Sequence, residues 1–350
     1  MKAVIKKGPF PGITYTDVER PVPKPDEVLI EVKAAAICGT DLGHYRWESG
    51  GFASQFNVEW PLILGHEFSG VIVELGSEVK GLHLGQRVSL ETHIPCGKCF
   101  NCRNDMPHNC MDMGAYGTSC DGSFADYAIG PASVVFPLPD EISFEEGALL
   151  EPGGVAMRAV DEAMIQAGDT VVVNGCGPIG LLTILVLRAG NAGRIIAVDL
   201  DEYHLDMAKK FGAIAINLLE KDPVEEIRTL TADRGGADVV FETSGAVSAY
   251  KSVFQFIRRE GRLITVGHPA GEVPVRWMAD VNLKGLYIKG IFGRRIWRTW
   301  TQLTSLMSAG KVNLLDAVTH RFRMSQAEEA FQQAMKGAGK ILLIPDKEWN

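Results

Sequence analysis

Cys96, Cys99, Cys102 and Cys110 place four thiols within fifteen positions, in a stretch that also carries Gly, Pro and Asn. Four thiolates at this spacing can close a tetrahedron around one soft divalent ion. A site with no open position is structural, so zinc is the expected metal. An iron–sulfur cluster is the nearest alternative, but its bacterial pattern ends in a three-residue gap and Cys-Pro. Here the last gap is seven residues and Met111 follows. A disulfide cluster is the third reading. The N-terminal MKAVIKKGPFPG has no export-type apolar run, so reduced cytoplasmic thiols are expected, which favours metal over disulfides. Cys120 and Cys176 read as ordinary thiols.

A second motif could bind a cofactor. Gly175, Gly177 and Gly180, with Pro178 and Ile179 between them, follow the run TVVVN and open a helical pattern. The first Gly permits a tight turn, the second lets backbone approach a pyrophosphate, and the third lets helix pack on strand. The helix N-terminus then offers free N–H groups to the phosphates. Asp199 ends the next strand, nineteen positions after Gly180, where a carboxylate can hold a ribose 2′-hydroxyl. A carboxylate there repels a 2′-phosphate, so NAD is expected rather than NADP.

The elements that would position these groups fall into two styles. The first 150 residues read as short strands (28–32, 70–75, 87–91 and 125–129) split by Gly, Pro and Asp turn signals, as in an all-β barrel or sandwich. From residue 151 the style changes to strands at 170–174, 194–199, 213–217, 238–243, 262–267 and 286–290. Helices are expected at 178–190, 203–211 and 224–231. Nearly continuous apolar strands alternating with helices argue a parallel sheet covered on both faces. After about residue 291 the alternation stops; helices near 297–308 and 325–336 and a strand at 341–344 close the chain and could complete either domain. The expected division is therefore 1–150, 151–290 and 291–350, with the cysteine lobe at about 91–115.

At 350 residues the chain is long enough for two domains. Its formal charge of −8 disfavours nucleic acid and anionic membrane as partners. Its longest apolar run, IGLLTILVL, falls well short of the roughly 20 residues of a membrane span.

Three further segments each have a bland reading alone. Cys38-Gly39-Thr40-Asp41 follows a strand and ends at a glycine-rich break; Gly65-His66-Glu67 precedes a strand; Leu150-Glu151-Pro152 sits at the change of style. Together with the cysteine lobe and the glycine loop, in this order, they resemble the zinc-containing medium-chain alcohol dehydrogenase family over essentially the whole chain. The resemblance implies a GroES-like β-barrel catalytic domain, a Rossmann domain with a doubly wound parallel sheet, and a C-terminal return to the first. It also implies NAD and two zinc ions per chain. Cys38 and His66 would be ligands of a catalytic zinc, with Glu67 a further or exchanging ligand. Glu151 would be a fourth ligand or hold a water on the metal, and the four cysteines would carry the structural zinc. An open metal position suits Lewis-acid activation of an alcohol whose hydride passes to the nicotinamide. Thr40 occupies the relay position for the hydroxyl proton. Relatives often carry His three residues after it; here Gly43 stands there and His44 follows, so His44 is a relay candidate.

Within the family, ETHIPCGKC around His93 and GRRIWRTW at 293–300 resemble the L-threonine 3-dehydrogenases. His93, Trp47 and Arg294 are thus substrate-pocket candidates. The stretch 47–61 is slightly longer than its threonine-enzyme counterpart, and EPGG replaces a more usual EPLG. A polyol, cyclitol or sugar dehydrogenase is therefore the alternative. A dinucleotide-binding protein without chemistry would not need the open metal set, and zinc-free quinone reductases on this fold lack both ligand sets. A soluble homodimer or homotetramer is expected, with the apolar strand near 286–291 able to pair across a dimer.

Overall fold

The computed structural model describes residues 1–47 and 58–349. The chain divides into two compact units, Met1–Pro152 with Arg294–Asn350, and Gly153–Gly293.

The first unit is built mainly from antiparallel strands, with one parallel pair, Val318–Arg323 on Lys340–Ile344. Its largest sheet runs, edge to edge, Val135–Pro137, Arg87–Leu90, Glu67–Leu75, Glu27–Ala36, Lys340–Ile344 and Val318–Arg323, with Tyr127–Pro131 also paired to Glu27–Ala36. The long strand EVLIEVKAAA is buried except at the charged Glu31 and Lys33, which are half-buried. A smaller sheet holds Thr14–Asp17, Lys2–Lys6 and Leu62–Ile63. Val4 and Leu62 from this sheet share one apolar core with Val28, Phe68, Val88 and Leu343 from the larger. The C-terminal strand Lys340–Ile344 lies between Glu27–Ala36 and Val318–Arg323, so the end of the chain completes this unit.

The second unit is a six-stranded, wholly parallel sheet ordered Ile214–Asn217, Arg194–Asp199, Thr170–Asn174, Ala237–Glu242, Ile257–Thr265 and Tyr287–Gly290. In chain order this is 3-2-1-4-5-6, the doubly wound dinucleotide-binding arrangement, whose crevice lies at the carboxyl ends of the first and fourth strands.

The structure corrects the expected break after Asp41: Gly39–Arg46 is a helix, closed by Trp47 in the left-handed region. The cause is a local cap. Cys38 is extended, and its N–H donates to Asp41 Oδ2 at 2.9 Å, so the third residue of the turn closes on the N-cap. The helices Leu150–Glu162 and Val247–Phe256 and the strand Val318–Arg323 also have no counterpart in the sequence reading. The strand shows no clean alternation, and the first helix begins LEPGG, a poor start by intrinsic propensity. No helix among the described residues is long and apolar enough to cross a membrane.

Candidate metal centres and dinucleotide loop

The four-cysteine lobe is a preformed cation cage. Its four Sγ atoms all lie within 4.8 Å of one another. Cys99 Sγ is 3.5 Å from Cys102 Sγ and 3.8 Å from Cys110 Sγ. Backbone N–H groups point at the sulfurs: Cys96 N and Asp112 N at Cys110, and Met111 N at Cys99. The N–H groups of Met111 and Cys102 hold the Cys99 thiol down at about 6. At Cys99 such donors favour the thiolate, the form a soft metal needs, whereas burial and the neighbouring thiols push Cys102 and Cys110 up. Four sulfur donors and no carboxylate fit a closed zinc site.

The second donor group is assembled by strand register rather than by spacing. Ala36 pairs with Glu67 across the antiparallel strands Glu27–Ala36 and Glu67–Leu75. Continued two residues beyond Ala36, that register sets Cys38 opposite Gly65, next to His66. Gly65 makes the tight approach, with φ +92 and the Phe124 ring only 2.3 Å from where a Cβ would sit. Asp41, fully buried, fastens the arrangement: besides Cys38 N–H, it accepts from Gly65 N at 3.2 Å, and its Oδ1 lies 3.7 Å from His66 Nδ1. Nothing in the spacing of Asp41 announced this role.

Cys38, His66 and Glu67 each offer a donor atom, all within 4.8 Å. Burial disfavours a charged His66, yet Asp41 and Cys38 outweigh it and push it up to about 10. Burial lifts Glu67 to about 7 against the pull of Lys340. Lys340, 2 % exposed, donates to Glu67 Oε2 and, at 2.7 Å, to the Ile37 carbonyl. A pocket of thiol, imidazole and carboxylate with surplus negative charge fits a divalent ion with a position left open.

Glu151 stands beside this group and not within it. Its Oε1 accepts from Thr92 Oγ1 at 2.8 Å and from Arg294 Nη1 at 2.5 Å. Arg294 is 2 % exposed and also grips Glu91 through Nε and Nη2. Each of its three guanidinium nitrogens therefore has a carboxylate partner. His93 is buried, and burial and Arg294 push its imidazole down to about 4. Thr40 Oγ1 lies 3.9 Å from Cys38 Sγ. His44 is fully buried, 3.5 Å from Thr118 Oγ1, stacked on Trp47 and edge-on to Trp60. Of the longer stretch at 47–61, residues 48–57 lie outside the described residues.

In the second unit the glycines divide the labour. Gly175 has φ +99 and sits against Ser244; a Cβ on Gly180 would meet the Gly175 carbonyl at 2.0 Å. A Cβ on Gly177 would meet nothing within 4 Å, so the loop is open there, at the N-cap of the helix Pro178–Ala189. Cys176 is wholly buried. Asp199 holds the loop through Cys176 N–H and accepts from Leu200 N at 2.7 Å and Asp201 N at 2.9 Å. Thr243 Oγ1 donates to the Gly175 carbonyl at 2.5 Å, a support that the glycine pattern alone does not reveal.

Comparison with known proteins agrees with this construction. Residues 24–140 match the family model of the alcohol dehydrogenase GroES-like domain, and residues 178–309 match that of zinc-binding dehydrogenases. An L-threonine 3-dehydrogenase of Bacillus licheniformis is 40% identical over 349 residues, 99% of each chain. Among solved structures, 2R,3R-butanediol dehydrogenase from Bacillus subtilis is 32% identical with a TM-score of 0.88, over 99% of each chain. An Escherichia coli alcohol dehydrogenase solved with NADH is 26% identical with a TM-score of 0.88, over 98% of this chain and 99% of that one. With its family models, full-length relatives and fold in agreement, this chain belongs to the zinc-dependent medium-chain alcohol dehydrogenases.

Proposed function

We propose that this oxidoreductase is an L-threonine 3-dehydrogenase, oxidising a secondary alcohol with NAD. The observation that carries the reading is the 40% identity over 99% of both chains to a relative of that name. Cys38, His66 and Glu67 would hold a zinc ion, whose Lewis acidity would make the substrate hydroxyl a stronger acid. Thr40 takes up the hydroxyl proton. His44, one helical turn further along the same face, passes it on; its buried Nδ1 has no hydrogen-bond partner, and burial keeps the imidazole neutral and able to accept. NAD bound at the glycine loop would supply the hydride acceptor, the alcohol being oxidised to a ketone as the nicotinamide is reduced. Glu151 keeps a negative charge beside the site, and His93 and Trp47 are the remaining substrate-facing candidates. Gly175, Gly177, Pro178, Ile179 and Gly180 cradle the pyrophosphate. Asp199, its carboxylate fixed by three backbone N–H groups, accepts from the adenosine ribose and repels a 2′-phosphate. Cys96, Cys99, Cys102 and Cys110 would hold the second zinc.

The protein is proposed to work in the reducing cytoplasm, where seven free thiols persist. It is also proposed to be a homo-oligomer. The edge strand Tyr287–Gly290, with exposed Tyr287, Ile288 and nearby Trp277 and Met278, supports that reading. A second reading, a diol or polyol dehydrogenase, is favoured by the butanediol enzyme's 32% identity at a TM-score of 0.88. NAD reduction against L-threonine, 2,3-butanediol, linear polyols and inositols separates the two. Threonine kcat/KM at least about 1.4 kcal/mol, tenfold, above every diol supports the proposal. No threonine turnover removes it.

A further inference from the structure

Two carboxylates flank the Cys38–His66 pair, and each is owned by a different buried cation. Glu67 is held by Lys340, which has only the Ile37 carbonyl besides. Glu151 is held by Arg294, whose guanidinium is itself fixed by Glu91. Glu91 is fully buried and anchored in turn by His93 N–H at 3.1 Å. Two of the three guanidinium nitrogens, Nε and Nη2, are thus committed to Glu91, and the third, Nη1, donates to Glu151. Thr92 adds a second donor to the same Glu151 oxygen. The donors that converge within 4.8 Å are Cys38, His66 and Glu67, and Glu151 is outside that set.

We propose that Glu91 and Arg294 are positioning residues that hold Glu151 beside the catalytic metal site and outside its ligand set. The proposal rests on reading Cys38, His66 and Glu67 as that site. Both donors act on Oε1, so drawing the Glu151 carboxylate inward to the metal pulls against Arg294 and Thr92 together, and separating a buried charge pair is strongly disfavoured. The clamp therefore keeps a coordination position open through residues that lie outside the three-donor set. Its components are 203 and 143 residues apart from Arg294 in sequence.

The test uses full-length protein with cobalt(II) replacing the zinc at the Cys38 site and zinc retained on the four cysteines. Its readouts are the visible d–d spectrum and imidazole affinity. Arg294→Met releases Glu151, so the spectrum shifts without added ligand and imidazole binds about tenfold or more weakly, the usual scale for outer-shell changes at metal sites. Glu91→Gln shifts it in the same direction and to a smaller extent. Glu151→Gln added to either variant restores the parental spectrum. Spectra and imidazole affinities unchanged within about twofold overturn the proposal, as does a shift that persists when Glu151 is also replaced. Should Arg294→Met not fold, Glu91→Gln and its double variant with Glu151→Gln decide the matter by the same criteria. A parent chain that holds a single metal, on the four cysteines, overturns the metal-site reading and this proposal with it. A parent with two metals and unresponsive variants overturns this proposal alone.

Discussion

At the scale of single residues, the site owes its shape to a side chain that does no chemistry. Asp41 accepts from the N–H of both Cys38 and Gly65, and so ties together the two turns that carry the thiol and the imidazole. An amide in its place can accept on one side only and turns an N–H₂ toward a backbone donor. Asp41→Asn is expected to fold, to keep the metal on the four cysteines, and to release the other metal about 10- to 100-fold more readily. Chelator competition with metal counting checks this; equal retention of both metals would contradict the role given to Asp41. Asp41 was visible in the sequence only as the end of CGTD. Its partners are three and 24 residues away, and the second depends on how the strands register.

At the scale of elements, the glycine loop separates what the fold needs from what the cofactor needs. Gly180→Ala places a methyl 2.0 Å from a carbonyl with no room to move, so it is expected to cost about 3 kcal/mol or more of stability. Gly177→Ala meets open space and should leave stability within about 0.5 kcal/mol of the parent. Yet its methyl stands where the pyrophosphate must approach, so NADH affinity should fall steeply. Thermal unfolding set beside NADH fluorescence titration tests the pair, and normal NADH binding by Gly177→Ala would refute the loop assignment. At the opposite ends of the same strands, Asp238 accepts from Thr170 N at 2.8 Å, Arg258 Nε at 2.6 Å and Arg234 Nη1 at 2.9 Å. Burial would raise its carboxyl, but these donors together hold it below the usual range. A depressed carboxyl stabilises fully above the unfolded value of about 4 and loses that contribution as pH falls through the lower folded value. Arg258→Gln should therefore cost about 1–3 kcal/mol near neutral pH, with the gap to the parent narrowing as acid is added below about pH 4. Urea unfolding across that range reports it; a gap independent of pH would mean that the charge pair is not the cause.

At the scale of the whole molecule, the chain's last strand is an interior one. Ile341, Leu342 and Leu343 are 1 % exposed or less, and Lys340 reaches the candidate site from the same strand. Each such aliphatic side chain contributes about 1.5–3 kcal/mol by burial, so their joint loss approaches the roughly 5–15 kcal/mol that holds a domain together. A chain ending at residue 339 is expected to lose the cooperative fold of the first unit while the second, with its own core around Val172, Ile196 and Val240, still binds NADH. Limited proteolysis with a cofactor-binding assay distinguishes the two units; a truncated chain with the parental unfolding transition would contradict the argument.

What the sequence determined by itself is what local chemistry determines. The four cysteines fall in one loop, and the glycines sit between a strand and a helix, so spacing alone announced a metal lobe and a phosphate loop. The parallel sheet showed in continuous apolar runs such as TVVVN and RIIAVD, and the family in the order of its segments. What only the tertiary structure decided is where charges from distant segments meet. The register of Ala36 with Glu67 makes the three-donor group. The pairing of the C-terminal strand with Ala36, through Leu342, brings Lys340 to Glu67 as its cation. The burial of Arg294 turns a pocket candidate into the partner of Glu91 and Glu151. A buried charge is tolerable only beside its opposite, and which opposite it finds depends on how the sheets fold together, not on spacing along the chain.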